Sequence, residues 1–200
     1  MPDTVTAMPG AKETLKSYLQ AQREAMLWKL DGLGERDLRW PHTPSGTNLL
    51  GLVKHVGSME FDYFGGVFGR PSPEPLPWLA DEAEDNADMW ATADQSREWV
   101  VDFYRRSWAH ADATIDALNL DAAGHVSWWR PARRDVTLHQ ILVHMIVETS
   151  RHAGHADILR EQIDGEIGLW AGNTNIPDHQ KQWWADYVET LRRTAEQASG

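Results

Sequence analysis

The chain has 200 residues, of which 42% are hydrophobic and 24% charged, which suits one soluble domain with a sizeable core. Its formal net charge of −11 argues against binding to nucleic acid, and the absence of cysteine excludes disulfides, thiolate metal ligands and a cysteine nucleophile. No apolar run is long enough to span a membrane, and residues 1–10 do not resemble a signal peptide, so we expect a cytoplasmic protein.

The N-terminal part of the chain predicts two helices. After a flexible N-terminus at residues 1–10, the first helix is predicted over residues 11–30 and ends near two glycines. A loop rich in proline, serine and glycine follows. The second helix begins at a cap formed by Thr47 or Asn48 and is predicted to reach about residue 68, because its apolar residues recur at nearly helical spacing.

Two further helices are predicted in the next part of the chain. Residues 69–94 contain several prolines and acidic residues, which indicates a long connection. The third helix is predicted over residues 95–118, and an irregular stretch follows over residues 119–136. A capping box that begins at Thr137 starts the fourth helix, which we expect to end at about residue 164.

The pattern as a whole predicts an all-α protein. No segment alternates apolar and polar residues over the length of a strand, so we expect a four-helix bundle at residues 11–168. Residues 169–200 are predicted to form a C-terminal extension whose single helix, over about 177–198, packs on the bundle.

The fourth helix carries the clearest chemical signal. Glu148 and His152 are four residues apart, so in a helix both project from one face and could chelate one divalent cation. His144 and His155 lie on the same face, beside an apolar stripe. Because carboxylate and imidazole groups are costly to bury without a partner, this arrangement favours a metal ion.

A second candidate ligand is His55, in the middle of the second helix at the edge of its apolar stripe. A single histidine in such a place is more often a hydrogen-bonded core residue than a ligand. Two helices that both place ligand-type residues at middle depth are, however, how metal sites in bundles are built. The residues alone leave both interpretations open.

A basic cluster precedes the fourth helix. Arg130, Arg133 and Arg134 stand beside Trp128 and Trp129 in an otherwise acidic chain. Arginines in this position could bind a carboxylate on a substrate or a thiol, with Trp129 as a wall of the pocket. The alternative is that they are surface charges on a loop.

Two motifs resemble those of a known family. They are LLGLVKH at residues 49–55 and ILVHMIVETSRHAGHADILRE at residues 141–161. They resemble the DinB/YfiT-like metal-binding four-helix bundles, and most of all the actinobacterial branch with mycothiol-dependent maleylpyruvate isomerase and mycothiol S-transferases. The resemblance covers roughly residues 11–168, and the excess of arginine over lysine is consistent with an actinobacterial source.

The resemblance implies that His55, Glu148 and His152 hold a divalent metal. Two imidazoles and a carboxylate suit Zn²⁺, and they also suit Fe²⁺ or Ni²⁺. His144 lies outside this set of three. His155 replaces a glutamine of the family pattern, and its role as ligand, hydrogen-bond donor or substrate contact stays open.

The resemblance also implies an activity, which is transfer or isomerisation dependent on a metal and on a low-molecular-weight thiol. Because the chain has no cysteine, the thiol must be a cosubstrate, which we expect to be mycothiol, and it would attack a small electrophile. The alternatives are a non-catalytic metal-containing stress or binding protein and a metal-dependent hydrolase that uses bound water. We expect a monomer or a homodimer.

Overall fold

The computed structural model describes residues 8–198, and within them it is an all-α bundle, which confirms the predicted fold class. The α-helices in this part of the chain are α1 (Ala11–Trp28), α2 (Glu35–Arg39), α3 (Leu49–Tyr63), α4 (Arg97–Ala117), α5 (Leu138–Asp164) and α6 (Lys181–Ala198). The bundle is formed by α1, α3, α4 and α5, with α1 packed on α5 and α3 packed on both α4 and α5.

The apolar core divides into two clusters along the bundle. One cluster includes Met26, Leu52, Val100 and Ala156. The other includes Leu19, Phe64, Ile115 and Ile141. The middle of the bundle helices carries buried polar side chains, namely Arg23 on α1, Glu60 on α3, Ser107 on α4, and Thr149 and His152 on α5. The fold therefore places a layer of buried polar side chains between the two apolar clusters.

The ends of α3 and α5 follow from local chemistry. Asn48 caps α3, since its side chain accepts a hydrogen bond from Gly51 N at 2.7 Å. Thr137 caps α5 in the same way, and α5 ends at Gly165, whose φ of 83° is the left-handed conformation that favours glycine. The prediction that α3 reaches residue 68 was wrong, because it ends at Tyr63 and a separate 3-10 turn follows at Gly66–Phe68.

Three short elements depart from the predicted pattern. The helix α2 lies where only a loop was expected. The stretch predicted as irregular contains two strands, β1 (Ala123–His125) and β2 (Asp135–Thr137), which pair antiparallel with Gly124 opposite Val136. Strands of three residues are too short to show an alternating pattern, which is why the sequence did not reveal them.

The C-terminal helix begins later than predicted. It starts at Lys181 and none of its residues is buried, so the expectation that it packs on the bundle stays a prediction. Of the N-terminus predicted to be flexible, residues 1–7 lie outside the described residues. None of the helices in the described part of the chain is long and apolar enough to cross a membrane.

Candidate metal centre

Three predicted ligands come together between α3 and α5. His55 on α3 and Glu148 and His152 on α5 each offer one ligand atom, and these atoms lie within 4.8 Å of one another. The Nε2 atoms of His55 and His152 lie 3.4 Å and 3.1 Å from Glu148 Oε1. Two ligands of one tetrahedral zinc ion are separated by about 3.3 Å, so these two separations fit such an ion.

The charges of this group favour a cation. Burial acts to lower the pKa of His55, but hydrogen bonds to Asp88 and Glu148 outweigh it and raise the pKa to about 9. Hydrogen bonds from His152 and His55 lower the pKa of Glu148 well below its usual range. In the metal-free protein a proton on His55 therefore supplies positive charge that a divalent ion would supply instead.

Asp88 is a member of this site that the sequence analysis missed. His55 Nδ1 donates a hydrogen bond to Asp88 Oδ2 at 2.6 Å, which leaves Nε2 directed at Glu148. Hydrogen bonds of this kind fix the orientation and the tautomer of a metal-binding histidine. Asp88 lies 33 positions from His55 in the long connection, so no local spacing could have indicated the pair.

The segment that carries Asp88 is held against the start of α3. Lys54 Nζ donates to two of its carbonyl oxygens, at 3.0 Å and 2.9 Å. Asn48 Nδ2 donates to Met89 O at 3.2 Å, and a Cβ added to Gly51 would lie only 1.8 Å from that same oxygen. The position of Asp88 is thus set by contacts outside the ligand group.

His144 and His155 of α5 stand beside the group of three and not within it. The ring of His155 lies 5.4 Å from that of His152, and burial with the nearby His152 lowers its pKa. The ring of His144 contacts Tyr63 at 4.7 Å and Trp129 at 5.1 Å. Burial lowers the pKa of His144, which keeps its imidazole neutral at pH 7.

A cavity of about 600 Å³ opens one helical turn from Glu148. It is lined by Trp128, Trp129, Arg130, Arg133 and His144. Trp129 is held at its indole and at its backbone. Its Nε1 donates to Tyr63 Oη at 3.0 Å, and its carbonyl oxygen accepts from Arg134 Nε at 2.8 Å. The cavity therefore has a fixed aromatic wall and a neutral imidazole on the side nearest the ligand group.

The three predicted arginines do not all lie in the cavity. Arg130 and Arg133 line the cavity, and the Arg133 guanidinium lies 5.8 Å from the centre of the Trp129 ring. Arg134 is turned to its own loop, where it holds Trp129. Two cations and two indoles thus surround a space that could admit a planar molecule beside the ligand group.

Comparisons with known proteins bear on this arrangement. A family model described as mycothiol-S-transferase matches residues 14–165. A crystal structure of a conserved protein from Enterococcus faecalis is similar, with a TM-score of 0.62 and 18% identity, over 80% of this chain and 100% of that chain. At this identity the similarity shows the fold alone. No curated protein matches the chain.

Proposed function

The chain belongs to the mycothiol-S-transferase family, a DinB-like family, and from this premise we propose that it is an enzyme that transfers a thiol to a small electrophile. The reaction would depend on a divalent metal, and mycothiol would be the thiol. The observation that carries the proposal is the convergence of three ligand atoms from His55, Glu148 and His152 within 4.8 Å of one another, beside an accessible cavity.

The ligand group suits a catalytic ion. We propose that His55, Glu148 and His152 bind it; two imidazoles and a carboxylate suit zinc, and they also suit iron or nickel. Three protein ligands leave a coordination position open. A divalent cation there supplies positive charge that favours the thiolate form of the cosubstrate at neutral pH.

The residues around the ligand group have complementary roles in this proposal. His144 is neutral and lines the cavity, so it can accept the proton that the thiol releases. Trp129 walls off the electrophile from water, and Arg130 and Arg133 bind it. Arg134 acts indirectly, because it holds Trp129 in place. His155 lies against the ring of His152, outside this cavity.

Metal content and thiol consumption together test the proposal. Purified protein should carry about one divalent ion per chain by elemental analysis, and His55→Ala or His152→Ala should remove most of it. His139→Ala is the matched control, since His139 is an exposed histidine at the start of α5, away from the ligand group. Full metal content in both ligand variants would overturn the assignment of the site.

The activity is measured as loss of mycothiol in the presence of monochlorobimane. The thiol sulfur forms a bond to the methylene carbon, chloride leaves with the bonding electrons, and the thiol proton is released. We expect acceleration by the metal-loaded protein that a chelator abolishes. No acceleration with mycothiol, glutathione or bacillithiol by a metal-loaded sample would support a binding protein instead of a transferase.

A further inference from the structure

The two histidines of the ligand group differ at the ring nitrogen that is not directed at Glu148. In His55 this atom donates to Asp88 Oδ2 at 2.6 Å. In His152 it is a buried Nδ1, which makes no hydrogen bond with residues 8–198, the part of the chain that the structure describes. A buried polar atom without a partner costs about 1–3 kcal/mol, and such atoms are rare in folded proteins. His152 Nδ1 therefore needs a partner inside the bundle.

Thr149 brings a second unpaired atom to the same helix. Its side chain is fully buried, and its Oγ1 makes no hydrogen bond within the described part of the chain. A threonine in a helix can bond to the carbonyl oxygen four residues earlier, here that of Met145, but Thr149 does not. Thr149 and His152 are three positions apart on α5, a spacing that puts Cβ atoms about 5–6 Å apart on one face. The hydroxyl is thus available to the imidazole.

The other buried side-chain atoms without a partner in residues 8–198 are Tyr104 Oη and Trp108 Nε1, both on α4. They lie beside the ion pair of Arg23 with Glu60. The Arg23 guanidinium is 5.7 Å from the centre of the Trp108 ring, and burial together with the charge of Glu60 raises the pKa of Tyr104 well above its usual value. Among these unpaired atoms, the one that shares a helix face with His152 is Thr149 Oγ1.

A hydroxyl suits His152 better than a carboxylate would. His152 Nε2 lies 3.1 Å from Glu148 Oε1, and a carboxylate only accepts, so Nε2 carries the hydrogen and Nδ1 of the neutral ring needs a donor. When Nε2 gives its lone pair to a cation, the ring hydrogen is on Nδ1, which then needs an acceptor. A carboxylate such as Asp88 can only accept, whereas a hydroxyl can donate in the first state and accept in the second.

We propose that Thr149 is a positioning residue for His152, whose Nδ1 pairs with the Thr149 hydroxyl directly or across one buried water molecule. The hydroxyl donates while Nε2 bonds to Glu148, and it accepts when Nε2 binds a metal ion. The inference rests on the proposed function, since His152 is assigned there as a ligand. It adds a contact that orients the ring of His152, as Asp88 orients that of His55.

Metal affinity tests this role with two variants of one residue. Thr149→Val removes the hydroxyl and keeps the shape, whereas Thr149→Ser removes the methyl group and keeps the hydroxyl. In competition with a chromogenic chelator, T149V should bind zinc about 10-fold or more weakly than the parent, as expected when a histidine ligand loses its hydrogen-bond partner. T149S should bind it as the parent does. Tyr104→Phe also removes a buried hydroxyl without a partner in residues 8–198, but from α4, and should leave the affinity unchanged.

Equal zinc affinity in T149V and the parent overturns the positioning role. A loss in T149S as large as that in T149V also overturns it, because the effect would then come from the packing of the methyl group. A loss in Tyr104→Phe and not in T149V overturns the assignment to Thr149, because the partner of His152 would then lie on α4.

Nitrogen NMR of the histidine rings tests the pairing without metal and without thiol. The Nδ1 resonance of the neutral His152 ring, assigned with the variant His152→Gln, should move in T149V to the position of a ring nitrogen without a hydrogen bond and stay in place in T149S. Thr149→Ala should show the same shift as T149V, so the result does not depend on how valine packs. This shift upholds the pairing even when the protein binds no metal and transfers no thiol. An unchanged resonance in T149V overturns the pairing even when the protein is an active transferase.

Discussion

Glu60 and Glu148 are two carboxylates in the middle of one bundle, and their surroundings differ in a way that separates structure from chemistry. Glu60 is fully buried and faces Arg23, whose Nε and Nη2 atoms donate to it at 3.0 Å and 2.6 Å. Glu148 is partly buried and faces two imidazoles, which are neutral unless they take up a proton. Glu60 therefore pairs with a permanent cation of the chain, Arg23. Glu148 faces imidazoles, which become positive only by binding a proton and which can bind a metal ion together with it.

The comparison teaches where a ligand is needed. A buried ion pair with complete hydrogen bonding is self-sufficient, and its role is to link α1 to α3 through the interior of the bundle. A carboxylate between two imidazoles lacks a permanent positive charge, so a proton or a metal ion has to provide it. Changes at the first site should therefore alter folding, and changes at the second should alter metal binding.

The largest effect is expected at the buried ion pair. Glu60→Ala leaves the Arg23 guanidinium buried without its main partner, and it should lower the free energy of unfolding by about 3–5 kcal/mol in urea titrations. The loss should be the same with and without added metal. Glu24→Ala, at an exposed position of α1, is the control. A loss below about 1 kcal/mol would contradict the structural role assigned to Glu60.

The next largest effect is expected at Glu148, and only when metal is present. At a zinc concentration one hundred times Kd, the parent should gain about 2.7 kcal/mol of stability. Glu148→Gln should show little of this gain, since the amide lacks the charge of the carboxylate. If instead Glu148→Gln gains as much as the parent and His155→Ala does not, the third ligand is His155.

A smaller effect is expected from Asp88, which touches a ligand and not the ion. Asp88→Asn should weaken zinc binding by about 10–100-fold in competition with a chromogenic chelator, because His55 loses the carboxylate that orients its ring. Asp85→Asn, an exposed position of the same connection, should leave the affinity unchanged. An unchanged affinity in Asp88→Asn would show that the ring of His55 is held by other contacts.

The smallest effect is expected at the edge of the buried ion pair. Asp112 accepts from Arg23 Nη1 at 2.9 Å, but a third of its side chain is exposed to solvent. Asp112→Asn should therefore lower the unfolding free energy by only about 0.5–1 kcal/mol, measured by urea unfolding. A loss as large as that of Glu60→Ala would mean that Arg23 depends on both carboxylates equally, and the contrast between Glu60 and Glu148 would be weaker.

The sequence predicted those parts of the molecule that depend on local spacing. The bundle helices and the pairing of Glu148 with His152 follow from the helical repeat, since residues four apart share a face in any helix. The residues alone left His55 open as a ligand or a hydrogen-bonded core residue, and the family resemblance added it to the ligand set, because its distance to α5 is set by packing. The family and the fold expected from that resemblance are confirmed.

What the sequence did not indicate depends on contacts between distant segments. Arg23 and Glu60 are 37 positions apart, and their pairing requires the bundle that contains α1 and α3 to be already assembled. Asp88 reaches His55 only because its segment docks on α3. The early end of α3 at Tyr63 was missed because the apolar spacing continues through the glycines that break the helix.

The segment that carries Asp88 packs so closely on α3 that it requires glycine at position 51, and this affects the stability of α3. Glycine is a weak helix former, and it costs a helix about 1 kcal/mol relative to alanine. Alanine at this position would therefore favour α3 as an isolated helix, yet its methyl group would collide with the Met89 carbonyl and displace the segment that carries Asp88. The helical preference of α3 thus favours alanine at position 51, whereas the geometry around His55 requires glycine. The chain has glycine there, so α3 is less stable as an isolated helix.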